Sequence, residues 1–408
     1  MTRVQQESTL DSQNRVIRRS AQTIRAIIAL TALVVALVSP RAQSAAATPG
    51  VLPWSQPAPV ATGLANAARP VLAFTSNGAA HVIWESEGEL YYAARPRAGD
   101  WSAAERVATG TAPALLADRD GTLHLVFTDY FMGNHEIFYA YRQGGIWSLP
   151  TAVSRTTGYS TEPALALTAG GALYAAWMDN TPGYWTIYLG AWDGSVWSSR
   201  PVPNARGQIP ALTVGADGTI SLAWQDRFPP DQPSTTKLDI FLTDFSEGRW
   251  SLPSNISDRP DVDSYGVSMA TTPDRNVHLT WIEGSNQVRY CFGQGNGWSL
   301  PQTVATAATV ARGAIILAER GGWLDIAWDE REIVRAAGGL VGAAAWPKAE
   351  IVAIPIASLK DVTLAANWDG DLALGWVQTT DPKDAGIYTV GRGAAFPWRR
   401  WLPVSLHQ

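Results

Sequence analysis

Acidic and amide side chains recur at one position along the chain, two residues after an aromatic residue that ends a short apolar run. They are Asp129, Asp179, Asp226, Glu283, Glu330 and Gln378. Carboxylates that ring one surface can accept hydrogen bonds from sugar hydroxyls or from basic side chains. An Asp at a strand end also commonly caps the following turn by binding its own backbone. Because these residues recur in phase, the capping role is favoured for most of them.

Aromatic residues accompany the acids in the longest polar segments, which are 128–136, 178–186, 225–239, 155–162 and 258–265. Tyr and Trp side chains offer flat faces on which a pyranose ring can stack. The predicted ligand-binding set adds these residues to the acids: Tyr130, Phe131, Tyr159, Glu162, Tyr184, Trp185 and Arg227. Trp185 is the most informative of them, because it lies out of phase with the repeated Trp residues. A Trp185 side chain folded back onto a neighbouring element is an equal alternative.

Seven internal repeats of about 49 residues predict the elements that hold these side chains. Each repeat reads as a short apolar strand, a Gly-containing turn, a second strand that ends in an aromatic, and two further strands. The second-strand aromatics are Trp84, Phe127, Trp177, Trp224, Trp281, Trp328 and Trp376. Four short strands per repeat are typical of a β-propeller, so we predict an all-β, seven-bladed β-propeller of four-stranded antiparallel blades in one domain, residues 47–408.

The repeated Trp residues are best explained as filler between adjacent blades, because one sheet cannot bury both of its faces alone. The fourth-strand pattern occurs eight times, from Trp54 to Trp398, whereas each other strand occurs seven times. Either the N-terminal copy, 53–63, completes the last blade and closes the ring, or the C-terminal copy closes its own blade and the N-terminal copy is a lid. The sequence does not choose between them.

One face of such a propeller carries the blade junctions and the turns between second and third strands. In this chain those loops are the longer ones and hold the aromatics and acids, whereas the turns of the other face are short and rich in Gly. We therefore place the binding surface on the first face, called the loop-rich face below. The second is called the short-turn face.

Composition excludes several classes of function. There are 31 Lys and Arg against 36 Asp and Glu, with no basic stretch beyond the N-terminus, which disfavours nucleic acid as a partner. The single cysteine, Cys291, excludes an intrachain disulfide and Cys-based zinc sites, and its alignment predicts a small buried residue.

His81, His124 and His278 occupy one repeat position, so we interpret them as packing residues. Asp258, Asp261 and Asp263 match no calcium loop. We predict no metal and no cofactor.

Residues 1–46 have the pattern of a cleaved secretory signal peptide. Arginines precede the apolar run 26–38, and small residues follow near 44–47. The run is shorter than the roughly 20 residues that span a bilayer, so an uncleaved anchor is the weaker alternative. Arg18 and Arg19 would also suit twin-arginine export, but no apolar side chain follows at the expected place. We predict a secreted or extracytoplasmic monomer with no membrane span in the mature chain.

The run G-x-W-S-x-P and the later D-G-x-x-H-L-x-W pattern resemble the BNR-repeat, sialidase-like propellers over nearly the whole predicted mature chain. The family's Asp-box is degenerate here, since Gly144, Gly194 and Gly295 keep their place before Trp but the Asp is missing. The resemblance implies three Arg that grip a carboxylate, a Tyr nucleophile paired with a Glu, and an Asp acid/base. The candidates for these catalytic roles are Arg69, Arg227, Arg289, Arg331 and Tyr388.

Three functions follow as hypotheses. The first is a non-catalytic module that binds a glycan or an extracellular protein through the loop-rich face. The second is a sialidase-like exo-glycoside hydrolase. The third is a structural cell-surface protein without a small ligand, since propellers host many functions.

Overall fold

The computed structural model describes residues 53–227, 237–295, 297–319, 322–342, 345–354, 358–367, 369–381 and 383–393. The predicted signal peptide, the C-terminal strand copy at Trp398 and most of the 225–239 loop lie outside these residues. The described residues form strands and turns, and they include no helix with the length and apolarity to cross a membrane.

The first strand, Ala58–Leu64 (β1), precedes the first blade. Blade one contains Ala68–Phe74 (β2), Ala80–Ser86 (β3), Glu89–Arg95 (β4) and Glu105–Thr109 (β5). Blade two contains Thr111–Ala117 (β6), Leu123–Phe131 (β7), Asn134–Gln143 (β8), Ile146–Trp147 (β9) and Thr151–Ala152 (β10). Blade three contains Ser160–Leu167 (β11), Leu173–Asp179 (β12), Thr186–Trp192 (β13) and Trp197–Arg206 (β14).

Blade four contains Gln208–Val214 (β15), Ile220–Arg227 (β16), Leu238–Ser246 (β17), Arg249–Trp250 (β18) and Ser254–Asn255 (β19). Blade five contains Ser264–Thr271 (β20), Val277–Glu283 (β21), Gln287–Gln294 (β22), Gly297–Trp298 (β23) and Gln302–Thr306 (β24). Blade six contains Arg312–Glu319 (β25), Trp323–Asp329 (β26), Val334–Leu340 (β27) and Glu350–Ala353 (β28). Blade seven contains Ser358–Ala366 (β29), Leu372–Asp381 (β30), Asp384–Arg392 (β31) and β1.

The seven sheets form a closed ring, which confirms the predicted seven-bladed propeller. Consecutive strands of each blade pair antiparallel, and where a fourth strand is broken, both of its pieces pair with the third strand. The first strand of every blade contacts the first strands of the two neighbouring blades, including β2 with β29. The seven first strands therefore surround the central axis.

A separate apolar cluster fills each of the seven interfaces between blades. The second-strand aromatics predicted as filler are all buried, with relative exposures of 0–1%. Cys291 is also buried, within the cluster between blades four and five. Since each sheet buries its faces only against its neighbours, stability depends on the completed ring.

The N-terminal strand closes the ring, which decides between the two alternatives left by the sequence. β1 pairs antiparallel with β31, from Ala58 opposite Thr389 to Leu64 opposite Ala385. The contact continues upstream, where Ser55 N donates to Gly391 O at 2.8 Å. The indole of Trp54 lies on the guanidinium of Arg392, 4.4 Å from it. β1 thus covers an edge of blade seven that would otherwise be open.

The three repeated histidines, predicted as packing residues, each pack against a tyrosine. In each pair, His Nδ1 and the Tyr hydroxyl are 2.8 Å apart and the rings stack; the pairs are His81 with Tyr92, His124 with Tyr139, and His278 with Tyr290. The other ring nitrogen contacts Thr75, Asp118 or Thr272. Burial lowers the pKa of His81 and of His278 from 6.5 to about 4.

This burial predicts acid sensitivity of the fold. Between pH 6.5 and about 4 the unfolded chain binds protons at His81 and His278 that the folded chain excludes, so the free energy of unfolding falls as the pH falls. The expected loss is up to about 1.4 kcal/mol per histidine for each pH unit in that range. Urea unfolding of the wild type and of the His81→Gln/His278→Gln variant measures it. An equal pH slope in both proteins would contradict the assignment.

Candidate functional site

A β-bulge interrupts the start of every first strand on the loop-rich face. In all seven blades the first strand has one more residue than its partner between consecutive paired positions. One bulge residue in each blade has φ between 49° and 66°; these residues are Arg69, Ala112, Glu162, Ile209, Gly266, Gly313 and Asp361. A positive φ costs a residue with a side chain about 1–2 kcal/mol, and bulges redirect side chains. The first strands surround the axis, so the bulges ring its mouth.

Two bulge residues form an ion pair across this mouth. Arg69 Nη1 lies 2.8 Å from Glu162 Oε1, although the two residues belong to blades one and three. Arg69 N also donates to Asp361 Oδ2 of blade seven at 3.1 Å, and its Nε lies 4.0 Å from Glu85 Oε1. Arg69 is therefore one cation held among three carboxylates at the centre of the loop-rich face.

Asp329 adds a buried carboxyl group near the mouth, at the end of β26. It is 1% exposed, and its Oδ2 has no hydrogen-bond partner among the described residues. Burial raises the pKa of Asp329 to about 7; Arg312 opposes the shift and Asp361 adds to it. The group therefore holds a proton over most of the acidic range.

The hairpin of blade two projects an exposed aromatic surface beside the mouth. β7 and β8 are joined by Met132 and Gly133, whose φ values of 52° and 94° suit a tight hairpin turn. Tyr130 is 63% exposed, Phe131 52% and Met132 89%. The ring of His135 makes edge contacts with Tyr130 at 5.3 Å and with Tyr159 at 5.6 Å. Tyr130, His135 and Tyr159 together are called the aromatic cluster below.

The junction between blades two and three, which carries Tyr159, is fixed from both sides. Asn134 Nδ2 donates to Thr156 O at 3.1 Å and to Gly158 O at 2.6 Å. Tyr159 N donates to Asn180 Oδ1 at 2.7 Å. A Cβ on Gly158 would lie 2.3 Å from Thr181 N, so only Gly permits this approach. Tyr159 is 51% exposed on a backbone that is already ordered.

Asp179 lies beneath this junction and is fully buried. Its Oδ2 accepts from Thr156 Oγ1 at 2.8 Å and from Ser160 Oγ at 2.7 Å, and its Oδ1 accepts from Thr181 N at 2.7 Å. Glu136, also buried, binds Thr156 N at 3.0 Å from the other side. Asp179 therefore supports the position of Tyr159. This agrees with the turn-capping role favoured for the repeated acids.

The other acids of the predicted ring also bind protein groups. Asp129 accepts from Thr109 and Tyr130 N, and Asp226 accepts from Arg227 N. Glu330 accepts from Trp328 Nε1 at 3.1 Å and pairs with Arg335 at 2.8 Å. Glu283 is 3% exposed and lies 3.6 Å from Arg259 and from Arg289. Their role in ligand binding stays a prediction.

Tyr184 and Trp185 lie at the next turn along the same face. Tyr184 is 47% exposed, with the guanidinium of Arg206 4.9 Å from its ring centre. Trp185 is partly buried, and its carbonyl accepts from Gly207 N at 3.0 Å. Tyr184 thus offers more accessible aromatic surface than Trp185.

The predicted catalytic set is divided between different parts of the fold. Arg69 is at the axis, whereas Arg289 binds Pro301 O and Thr303 towards the outer edge of blade five. Arg227 ends β16, and Arg331 is exposed in the turn after β26 with a φ of 59°. Tyr388 packs on Trp376 within blade seven. Among the described residues, no hydrogen bond or ion pair places any of the other four candidates beside Arg69.

Sequence reasoning missed several residues of this region, namely Glu85, Asn134, His135, Glu136, Asp329 and Asp361. A signal for the bulge ring is present, because Pro follows the bulge residue in blades one to four, at Pro70, Pro113, Pro163 and Pro210. That pattern marks a repeated strand start but gives no indication that the preceding side chains meet at the axis.

No protein-family model matches the sequence, and no curated protein matches it. Solved structures share the fold. An ulvan lyase of polysaccharide lyase family PL25, bound to -[GlcA(1-4)Rha3S]-, has 14% identity and a TM-score of 0.63, covering 85% of this chain and 96% of its own. The polysaccharide lyase Uly1 has 12% identity and a TM-score of 0.56, covering 81% and 90%.

A fungal alcohol oxidase in complex with copper also has this fold, with 12% identity and a TM-score of 0.57, covering 84% of this chain and 76% of its own. Lyases and an oxidase thus share one architecture, so the likeness establishes the fold and leaves the activity to be argued from the site. The protein is an all-β, seven-bladed propeller closed by its N-terminal strand.

Proposed function

We propose that this protein binds a glycan on its loop-rich face, with the aromatic cluster as the stacking surface and the Arg69–Glu162 pair as a polar anchor beside it. The observation that carries the proposal is the fixed and exposed Tyr159. Its backbone is held by Asn180 and its junction by Asn134, and its ring meets His135.

Binding at this surface should cost little conformational entropy. A side chain whose backbone is already fixed loses little conformational freedom when a ligand arrives, so more of the contact free energy appears as affinity. Tyr rings present an apolar face to sugar C–H groups and a hydroxyl for hydrogen bonding. Glu162 is three residues from Tyr159, so a chain of sugar units would follow one path from the aromatic cluster to the mouth.

Other observations support a carbohydrate as the first ligand class to test. Two proteins of similar fold are polysaccharide lyases, one of them bound to a saccharide. We also propose that binding takes place outside the cytoplasm, because residues 1–46 have the pattern of an export signal.

The sialidase-like hydrolase is the less supported alternative. It requires three guanidinium groups at one carboxylate, since planar bidentate pairing is what makes Arg suited to that anion. The described contacts place Arg69 at the axis and Arg289 towards the outer edge of blade five. A sialic-acid hydrolysis assay with an Arg69→Ala control tests this alternative separately from binding.

A glycan-array screen of the purified protein tests the proposed function. We expect selective binding that Tyr159→Ala removes and Tyr141→Ala retains. Tyr141 is the matched control, because it is 41% exposed on β8 but lies towards the short-turn face. An array that stays silent, or equal losses in both variants, would contradict the proposal.

A further inference from the structure

The short-turn face contains a cavity of about 470 Å³ between blades four and five. Its lining includes Asp217, Ser221, Asp244, Trp250, Arg275 and Gln294. The loop-rich face and its aromatic cluster contribute no residue to it, so it is separate from the proposed glycan surface.

A substitution within the repeat explains why this interface is open. Ser221 occupies the second-strand position that holds His81, His124 or His278 in blades one, two and five. Leu242 stands where those blades have the stacked Tyr, as the pairing of Ala223 with Leu242 and of Thr280 with Tyr290 shows. Blade four therefore lacks the imidazole that blades one, two and five place at the corresponding interface.

Asp244 gives the cavity a carboxylate that is hydrogen-bonded but, among the described residues, not ion-paired. Its Oδ1 accepts from Ser221 Oγ at 2.6 Å, and it makes no ion pair within 4 Å in the described part of the chain. The guanidinium of Arg275 is 3.8 Å from Asp217 instead. Burial raises the pKa of Asp244, with Asp217 adding to the shift and the hydrogen bond from Ser221 opposing it.

A smaller cavity of about 250 Å³ lies between blades seven and one. Its acid Asp371 has a cation nearby, because Arg97 lies 3.6 Å from Asp371 and 2.6 Å from Asp369. The lining between blades four and five holds three acids, Asp217, Asp244 and Glu247, against two cations, Arg249 and Arg275, and it adds an indole together with hydroxyl and amide groups.

We propose that the cavity between blades four and five binds a small hydroxylated organic cation of the amino-sugar type, with Asp244 as its counter-ion and Trp250 as an aromatic wall. A charge-assisted hydrogen bond to a carboxylate is about twice as strong as a neutral one, and an indole face attracts a cation. This inference goes beyond the proposed function and does not depend on it.

Calorimetric titration with glucosamine and with glucose tests the inference, because the two sugars differ by one amino group. We expect glucosamine to bind at least about tenfold tighter than glucose. Asp244→Asn keeps the shape and removes the charge, so it should abolish this preference. Ser221→His restores the side chain of three other blades, so it should fold and close the cavity to both sugars.

Thermal unfolding verifies that each variant is folded before titration. Equal affinity for the two sugars, absence of binding by the wild type, or unchanged glucosamine binding in folded Ser221→His would each overturn the proposal. Tyr159→Ala should leave glucosamine binding unchanged, which separates this site from the loop-rich face.

Discussion

Deleting residues 53–64 should prevent the ring from closing and lower the free energy of unfolding by roughly 5 kcal/mol or more. The deletion removes β1, whose Val60, Ala61 and Leu64 pack in the cluster between blades seven and one. Full burial of a side chain the size of Val or Leu contributes about 1.5–3 kcal/mol, and these three side chains are partly buried. Loss of the antiparallel pairing with β31 adds to this and leaves a sheet edge that favours association.

Trp54 makes the loss larger than that of an ordinary edge strand. Arg392 is 4% exposed and binds Asp325 at 3.0 Å and also Glu350, with the Trp54 ring over its guanidinium. Trp54 Nε1 also donates to Glu350 at 3.1 Å. Without the indole, this ion-pair network is opened to water, which weakens the interface between blades six and seven.

Urea unfolding followed by Trp fluorescence measures the deletion, with size-exclusion chromatography to detect association. The matched control is deletion of 394–408, which contains the other copy of the fourth-strand pattern. Since β1 already pairs with β31, this control should cost only a small fraction of the loss. A larger loss from the C-terminal deletion than from the N-terminal one would contradict the closure.

The Tyr130→Ala/Tyr159→Ala variant should lose at least about tenfold in affinity for the glycan identified on the array. The variant removes both Tyr rings that contact His135 and leaves the contacts of Asn134 and Asn180 in place. Both side chains are more than half exposed, so their removal should not change stability appreciably.

Titration calorimetry with the same oligosaccharide measures this loss, and Tyr141→Ala is again the control. Retained affinity in the double variant, with the fold intact by circular dichroism, would mean that the aromatic cluster is not the stacking surface. Loss of affinity in Tyr141→Ala alone would move the site towards the short-turn face.

The fold was predictable because the residues that define it recur at a regular spacing along the chain. The repeated four-strand pattern, with in-phase aromatics such as Trp84 and Trp281, defines seven similar sheets. Such sheets bury their faces by packing against one another in a closed ring. His81 and His278 were assigned to packing by the same argument. Ring closure was not predictable, because the copies at Trp54 and Trp398 have equal patterns and only the pairing of β1 with β31 distinguishes them.

The site was predicted less completely, because its contacts join distant blades. Nothing in the local sequence pairs Arg69 with Glu162 or Arg69 with Asp361, which are 292 residues apart. Asp179 has the same residue type and repeat position that a ligand-binding acid would have, and only its burial shows its supporting role. The local sequence around Ser221 likewise does not predict the cavity beside it, which becomes apparent only when Ser221 is aligned with the repeated histidines.

Hydrogen–deuterium exchange of the protein with and without its array-identified oligosaccharide tests the central claim most directly. Binding at the aromatic cluster should slow exchange of backbone amides in 130–136 and 155–162, and leave 244–251 on the short-turn face unchanged. Slowed exchange at 244–251 with no change at 155–162 would contradict it, because the glycan would then lie on the opposite face.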